Sequence, residues 1–578
     1  MIVTIIGIQN SIQAQSALPS DGQIQAADSA ITSSAIRAHV QFLADDLLEG
    51  RGPGTRGDEL AMSYVQAQFK ALGLKPAAQG DSWIQPVPLV GVNTRPPERI
   101  DFKTGEKKLT LKNYEQYIMT SGLAQTTTSF NDAEVVFVGY GIQAPEYNWD
   151  DFKDVDVAGK VLLIMNNDPA GDPILFAGSK RLYYGRWDYK YAKAAEMGAV
   201  GAFIIHTTES AGYPYQVVQT SWTGEQMRLG GSKAKRLPVE GWLTEDSART
   251  LVNQAGKDLD TLRTAAERRE FRPVPLGTTV SARLKSLVRN ANTGNVLGLM
   301  PGSDPELSKQ WVIFTAHHDH IGMIEKRDDK MDYIYNGAID NASGVGVLLC
   351  IARAFANLPD SERPKRSILF ASVGAEEQGL LGSQFLAENP PVPAGNLAAI
   401  MNIDGVNILG RTKDIVVIGN GKSDLDQTVQ RIGRWQGRVV VPDQFPDQGY
   451  YYRSDQFSLA KVGVPGVYLG TGVHVIGKPD GWGKAKMREW NENVYHQVSD
   501  EYNEDWDLSG AVEDAKLMFH IGLQTANQPA MPAWIPGDEF EAARKSAIGA
   551  KNLMFANSRG IPMIFGMEMR RQFEPSSH

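Results

Sequence analysis

A chain of 578 residues is too long for one hydrophobic core and divides into two or three domains. Apolar content of 42% with 22% charged residues is that of an ordinary globular protein, and a net charge of −9 excludes nucleic acid as a partner, because a phosphate backbone calls for a basic face. The single cysteine excludes an internal disulfide and a cysteine-built zinc site; Cys350, in the run GVGVLLCIARAF, reads as a buried helix residue.

The N-terminal run MIVTIIGIQNSIQAQSALPS is a short apolar stretch followed by small residues (Ala14, Ser16, Ala17). It reads as a secretory signal remnant without its basic start, or as a disordered tail, over 1–20; the first reading makes the protein secreted or periplasmic. No segment reaches the roughly eighteen continuous apolar residues of a membrane span. From Ser33 to Leu74 the spacing predicts helix, with Ile36, Val40, Leu43 and Leu47 and then Ala61, Tyr64, Val65 and Phe69 at three- and four-residue steps. Between the two sets, LLEGRGPGTRGDE is a Gly-rich loop that lacks the Lys-Ser/Thr ending of a phosphate loop and reads as a structural turn. Ile84 to Val92 alternates like a strand. EVVFVG (134–139) and KVLLIM (160–165) read as strands, Tyr183 to Met197 as a helix, and Ala199 to His206 as a buried strand closed by a structural histidine. This block carries no candidate chemistry and is read as an inserted domain, 126–277, with a helical tail from Glu245 to about Arg269.

The main domain, 31–125 and 278–528, resumes with TVSARLKSLVR, NVLGLMPG and WVIFTAHHDH as strands. Helices at 343–358, 381–388, 423–436 and 508–524 then alternate with strands at 366–373, 398–403, 415–418 and 466–469. Such alternation predicts an α/β fold, a largely parallel sheet with helices on both faces. Residues 529–578 form a C-terminal extension, Pro-rich, then helical (538–548), then the aperiodic Met-rich IPMIFGMEM.

Trp311 to His320 holds three of the nine histidines, at the end of an apolar run, and an open α/β sheet presents its ligands at the carboxyl ends of its strands. AHHDH (316–320), GAIDNASG (337–344), GAEEQG (374–379), NIDG (402–405) and YHQVSDE (495–501) each place His, Asp or Glu where a strand gives way to a loop. Imidazole and carboxylate are the donors zinc accepts, and a catalytic zinc keeps one position open for water. Residues two apart on a strand share a face, so Asp319 can hold the far ring nitrogen of His317. Glu376 and Glu377 project differently, so one can bind metal while the other takes a proton; Asp340 is the candidate bridge between two cations. His318 and His320 read as supporting or surface residues, and His474 as a loop histidine.

These motifs resemble those of the M28 family of di-zinc aminopeptidases, secreted bacterial enzymes and, more distantly, glutamate carboxypeptidases, over about 31–85 and 295–528. The insert resembles a protease-associated (PA) domain, through VGYGIQAPEYNWDDFKDVDVAGKVLLI and AKAAEMGAVGAFII. The resemblance implies an α/β/α sandwich of the zinc exopeptidase fold, with a β-rich PA-like insert. It implies His317 and Asp404 on one zinc, Glu377 and His496 on the other, and Asp340 between them, with Co2+ or Mn2+ as possible replacements. It further implies Glu376 as general acid/base, Asp319 orienting His317, Tyr495 donating to the tetrahedral intermediate, Arg453 contacting substrate, and a cis peptide at Asp340–Asn341. His318 and Gly405 depart from the family's commoner residues without touching a ligand position. The expected activity is hydrolysis of N-terminal residues from peptides. Two alternatives stand beside it: a carboxypeptidase or dipeptidase with a cationic pocket for the C-terminal carboxylate, and a non-catalytic binding protein on the same scaffold.

Overall fold

The computed structural model describes residues 22–172, 175–178, 180–232, 234–324 and 331–558. The expected signal remnant and the Met-rich segment IPMIFGMEM lie outside the described residues. One mixed sheet organises the domain that carries the five His/Asp/Glu motifs. Its strands are β1 (Ile84–Arg95), β2 (Val274–Met300), β3 (Trp311–His317), β4 (Ser367–Val373), β5 (Leu397–Asn402), β6 (Asp414–Ile418), β7 (Val439–Pro442) and β8 (Gly466–Gly470). They run in the spatial order β1-β2-β4-β3-β5-β8-β6-β7. The central strands β4, β3, β5 and β8 are parallel; β2 is antiparallel to its neighbours, and β6 is antiparallel to β8 but parallel to β7. Alternation along β3 assigns its faces. Val312, Phe314 and Ala316 join one core, and Ile313 joins a second core with Leu386 and Leu459 across the sheet.

The first core is roofed by α1 (Ser33–Leu43), α2 (Arg56–Ala71), α3 (Gly344–Ala356), α5 (Leu425–Trp435) and α6 (Ser509–Asn527); α4 (Leu381–Glu388) lies on the other face. The α/β/α sandwich expected from the sequence is therefore present. Thr32 and Thr55 cap α1 and α2 by accepting the amides of Ala35 and Asp58, which splits the predicted helical stretch in two. Ala338–Ala356 is long and apolar enough to cross a membrane by length and composition, but it is buried in this core.

The insert is larger than the sequence boundary at 126. Strands Arg99–Thr104, Lys107–Lys112 and Tyr117–Ser121 bury Ile100, Phe102, Leu111 and Tyr117 among Val135, Phe203 and Leu243, so this segment belongs to the insert's core. The patterning misses it because KKLTLK alternates with lysines on an edge hairpin. Inside the insert, Thr127–Phe137, Val161–Met165, Gly201–His206 and Val239–Thr244 form a parallel run. The two predicted strands at 278–300 are one strand, β2, whose first half pairs in the insert and whose second half pairs with β4. The C-terminal extension is not separate either. Trp534 and Phe540 pack on Tyr451 and Phe457, and Arg544 donates to the Leu397 and Ala398 carbonyls.

One buried histidine, His206, and one half-buried one, His39, make the fold acid-sensitive. Burial brings His206, among Tyr213, Tyr215 and Trp242, down to about 4; burial and then Arg353 bring His39 to about 4. Between pH 6.5 and 4 the unfolded chain binds protons that these folded imidazoles refuse. Their stabilisation is complete above 6.5 and lost as the pH falls through 4, roughly 3 kcal/mol for His206. Urea denaturation at pH 7 and pH 4.5 is expected to show this loss, with a shallower slope in His206→Leu. Identical slopes in the two proteins would contradict the assignment.

Candidate metal centre

Three of the parallel strands, β3, β4 and β5, end at the same edge of the sheet and hand over to donor residues. His317 is the last residue of β3, the Glu376–Glu377 turn follows β4, and Asp404 follows β5. Asp340 stands just before α3 and His496 just after the helix Trp482–Asn493. Their atoms converge. His317 Nε2 lies 3.2 Å from Asp404 Oδ1 and 3.3 Å from Asp340 Oδ1. His496 Nε2 lies 3.3 Å from the other Asp340 oxygen and 2.9 Å from Glu377 Oε2. One carboxylate thus faces two imidazoles, with Asp404 closing one side and Glu377 the other. Glu376 Oε2 stands 3.9 Å from His317 Nε2, beside the pair.

Supporting contacts hold these donors from behind. The Asp500 carboxylate accepts the amides of Ile339 and Asp340, and Asn341, joined to Asp340 by a cis peptide, donates to the Ile403 carbonyl and accepts the amides of Gly344 and Gly405. Ser454 donates to Asp404 Oδ2 at 2.5 Å. Asp319 acts differently from the simple expectation. Because β3 stops at His317, strand alternation no longer governs residue 319. The Asp319 carboxylate accepts the amides of Glu376 and Glu377 and stands 3.8 Å from His317 Nδ1, which instead lies 3.2 Å from the Asp319 carbonyl oxygen. Donation to that carbonyl puts the proton on Nδ1 and leaves the Nε2 lone pair facing the carboxylates.

The Gly-rich turn before α2 supports the centre through Arg51. Arg51 is fully buried and donates to the carbonyls of Leu43, His318, Asn336 and Gly337, tying two site loops together. Gly50 is required there: its φ is +67°, and a Cβ would meet the Gly322 carbonyl oxygen at 2.4 Å. His318 is buried between Ser372 and Asp58. His320 is closer to the centre than a surface reading allows. Its Nδ1 is 2.5 Å from Glu377 Oε1, so Glu377 faces two imidazoles. His474 is exposed and faces Asp414.

The charge balance asks for cations. Four carboxylates, Asp340, Glu376, Glu377 and Asp404, meet three imidazoles, His317, His320 and His496, and the buried Arg51 is committed to carbonyls. Burial works against it, yet Glu377 and Asp340 hold His496 up at about 10. His317 is likewise raised by Glu376, Asp340 and Asp404 against the pull of burial. Burial, then the carboxylates around it, push Glu376 well above the usual carboxylate range. The imidazoles thus take up positive charge that divalent ions would supply, and two nodes of nitrogen and carboxylate oxygen sharing one bridging carboxylate fit a pair of such ions.

The insert reaches into this centre, which its sequence did not reveal. Ser221 Oγ lies 3.0 Å from His496 Nδ1, and Thr220 donates to the His496 carbonyl. Tyr213, also from the insert, joins Tyr450 and Tyr495 around the Arg453 guanidinium, at 5.2, 5.3 and 5.9 Å. Arg453 Nη2 donates to Tyr495 Oη at 3.4 Å, and the Tyr495 ring stacks on His496. A cavity of about 220 Å3 opens beside Asp340, Glu376 and Asp404, lined by Val406, Phe445, Leu469 and Trp490. Trp490 comes from the helix Trp482–Asn493, missed in the sequence because its apolar residues form no continuous stripe.

The sheet is covered on both faces and gathers imidazole and carboxylate donors at its carboxyl edge, an α/β arrangement that can hold metal ions. Residues 295–520 match Peptidase family M28. It is 37% identical over 118 residues to a probable zinc metalloprotease of Pyrenophora teres f. teres, covering 20% of this chain and 23% of that one. It is 36% identical over 117 residues to aminopeptidase NAALADL1 of Rattus norvegicus, covering 20% of this chain and 14% of that one. The chain thus spans less than a quarter of the length of these relatives. The aminopeptidase of Aneurinibacillus sp. strain AM-1 has the same fold, with a TM-score of 0.52 at 20% identity over 89% of this chain and 98% of that one.

Proposed function

We propose that this protein is a two-zinc aminopeptidase that removes N-terminal residues from peptides. The observation that carries the reading is the Asp340 carboxylate, one oxygen toward His317 and the other toward His496, each 3.3 Å away. His317, Asp340 and Asp404 would hold one ion, and Asp340, Glu377 and His496 the other. Zinc bound there would supply Lewis acidity to the scissile carbonyl and acidify the attacking water. Glu376, whose neighbours raise its proton affinity, takes the water's proton and delivers it to the leaving amine. The Tyr495 phenol accepts from Arg453, which leaves its own O–H free to donate to the developing oxyanion. The insert is read as a PA-like domain that supplies one wall of the cleft, and the N-terminal run as a signal for export.

Arg453 favours a second reading, a carboxypeptidase or dipeptidase: among the described residues no carboxylate pairs with it. Leucine amide and N-acetyl-leucine amide separate the two. An aminopeptidase cleaves the free amine and spares the blocked one; equal cleavage, or cleavage that requires a free C-terminal carboxylate, would reject the proposal.

Ser221→Ala tests the part played by the insert. Loss of the hydroxyl frees the His496 ring, and zinc affinity of the metal-free protein at that node is expected to fall about tenfold to a hundredfold. Ser221→Thr should retain it. Unchanged zinc affinity in the alanine variant would show that the insert does not orient His496.

A further inference from the structure

A second cavity, of about 390 Å3, opens on the other side of Glu376 and His496, between the insert and the metal-bearing domain. It is lined by Arg181, Arg186, Arg228, Arg236, Arg453 and Lys461, a basic enclosure in a chain of net charge −9. Most of these cations lack an acid. Among the described residues, only Arg186 and Arg228 face a carboxylate within 4 Å, Asp188 at 3.0 Å and Glu240 at 3.7 Å. The side chains of Arg181 and Arg228 are buried, and the Nε of each has no hydrogen-bond partner. Burial, and then the charge of Arg453, bring Arg181 down to about 10; burial and then Arg228 lower Arg236. Like charges are therefore packed in pairs. Asp168, an acid near Arg181, is occupied in accepting the Leu182 amide. Guanidiniums gathered around one cavity, most without a carboxylate within 4 Å among the described residues, form a site for an anion.

The two cavities meet at Glu376, Tyr213, Arg453, Tyr495 and His496, so a peptide crossing the centre occupies both. The ammonium of its first residue is repelled by the basic cavity and takes the first cavity, whose lining includes the Asp443 carboxylate. The portion beyond the scissile bond then enters the basic cavity.

Building on the aminopeptidase reading, we infer that the insert arginines Arg181, Arg228 and Arg236, together with Arg453, select peptides whose leaving portion is anionic, through a free carboxylate or an acidic side chain next to the scissile bond. The substrates Leu-Ala, Leu-Glu amide, Leu-Ala amide and Leu-Lys amide separate the sources of charge. The zinc-loaded enzyme is expected to cleave Leu-Ala or Leu-Glu amide with kcat/KM about tenfold or more above Leu-Ala amide, with Leu-Lys amide lowest. The preference should shrink at high salt and in Arg228→Gln and in the half-exposed Arg236→Gln, with Leu-Ala amide cleavage largely retained. Which of the first two substrates leads identifies the carboxylate that is read. Equal cleavage of all four, or a preference unchanged in both variants, would overturn the inference and leave the peptidase reading intact. Failure to cleave any of them would remove the peptidase reading, and this inference with it.

Discussion

Glu376→Gln is expected to lower kcat by about a thousandfold or more while both zinc ions stay bound. The glutamine amide matches the carboxylate in size but cannot accept a proton. Glu376 is also set back from the ligands: its carboxylate is 3.9 Å from His317 Nε2, whereas Asp340 and Asp404 lie at 3.3 and 3.2 Å. Its backbone stays in place, because the Glu376 amide donates to Asp319 regardless of the side chain. Removing one of four crowded carboxylates also relieves repulsion, so the folded protein should be no less stable. Steady-state kinetics together with metal analysis decide the matter. Near-normal turnover would remove Glu376 from the chemistry, and loss of zinc would make it a ligand.

Asp340→Asn is expected to act in the opposite way, removing metal first and activity as a consequence. An amide has a single oxygen, so one of the two nodes meets an NH2 group where it needs an acceptor. Zinc content should fall from two ions per chain to one or none, with at least a thousandfold loss of kcat/KM. The metal-free protein carries a second signature. With the shared carboxylate neutralised, each imidazole loses one of the anions it faces, and His496 is expected to titrate lower than in the unsubstituted protein. Mass spectrometry under non-denaturing conditions and NMR titration of the histidines read the two effects. Two tightly held ions in Asp340→Asn would exclude the bridging arrangement.

The donors of the centre were legible because each is a local event in the sequence. A strand needs β-branched and aromatic residues, a sheet edge needs an abrupt change to polar ones, and WVIFTAHHDH states both within ten residues. The same holds for the alternation of strand and helix that predicts the sandwich, since periodicity is written along the chain. Asp500 stood inside a quoted motif yet received no role, because nothing in its neighbours reveals that it clamps backbone amides of residues 339 and 340.

What the sequence determined by itself was the class of fold and the six side chains, His317, Asp340, Glu376, Glu377, Asp404 and His496, that the structure gathers at one point. Tertiary structure alone decided where the insert begins, that Arg51 binds carbonyls, and that His320 touches Glu377. It also brought Ser221 onto His496, 275 residues away, and placed the insert's arginines across the cleft from Arg453. The physical reason is common to all of these: periodicity reports which face of an element is buried, whereas a contact between domains depends on how two finished surfaces dock. A serine on an exposed-looking helix carries no mark of the imidazole it will meet.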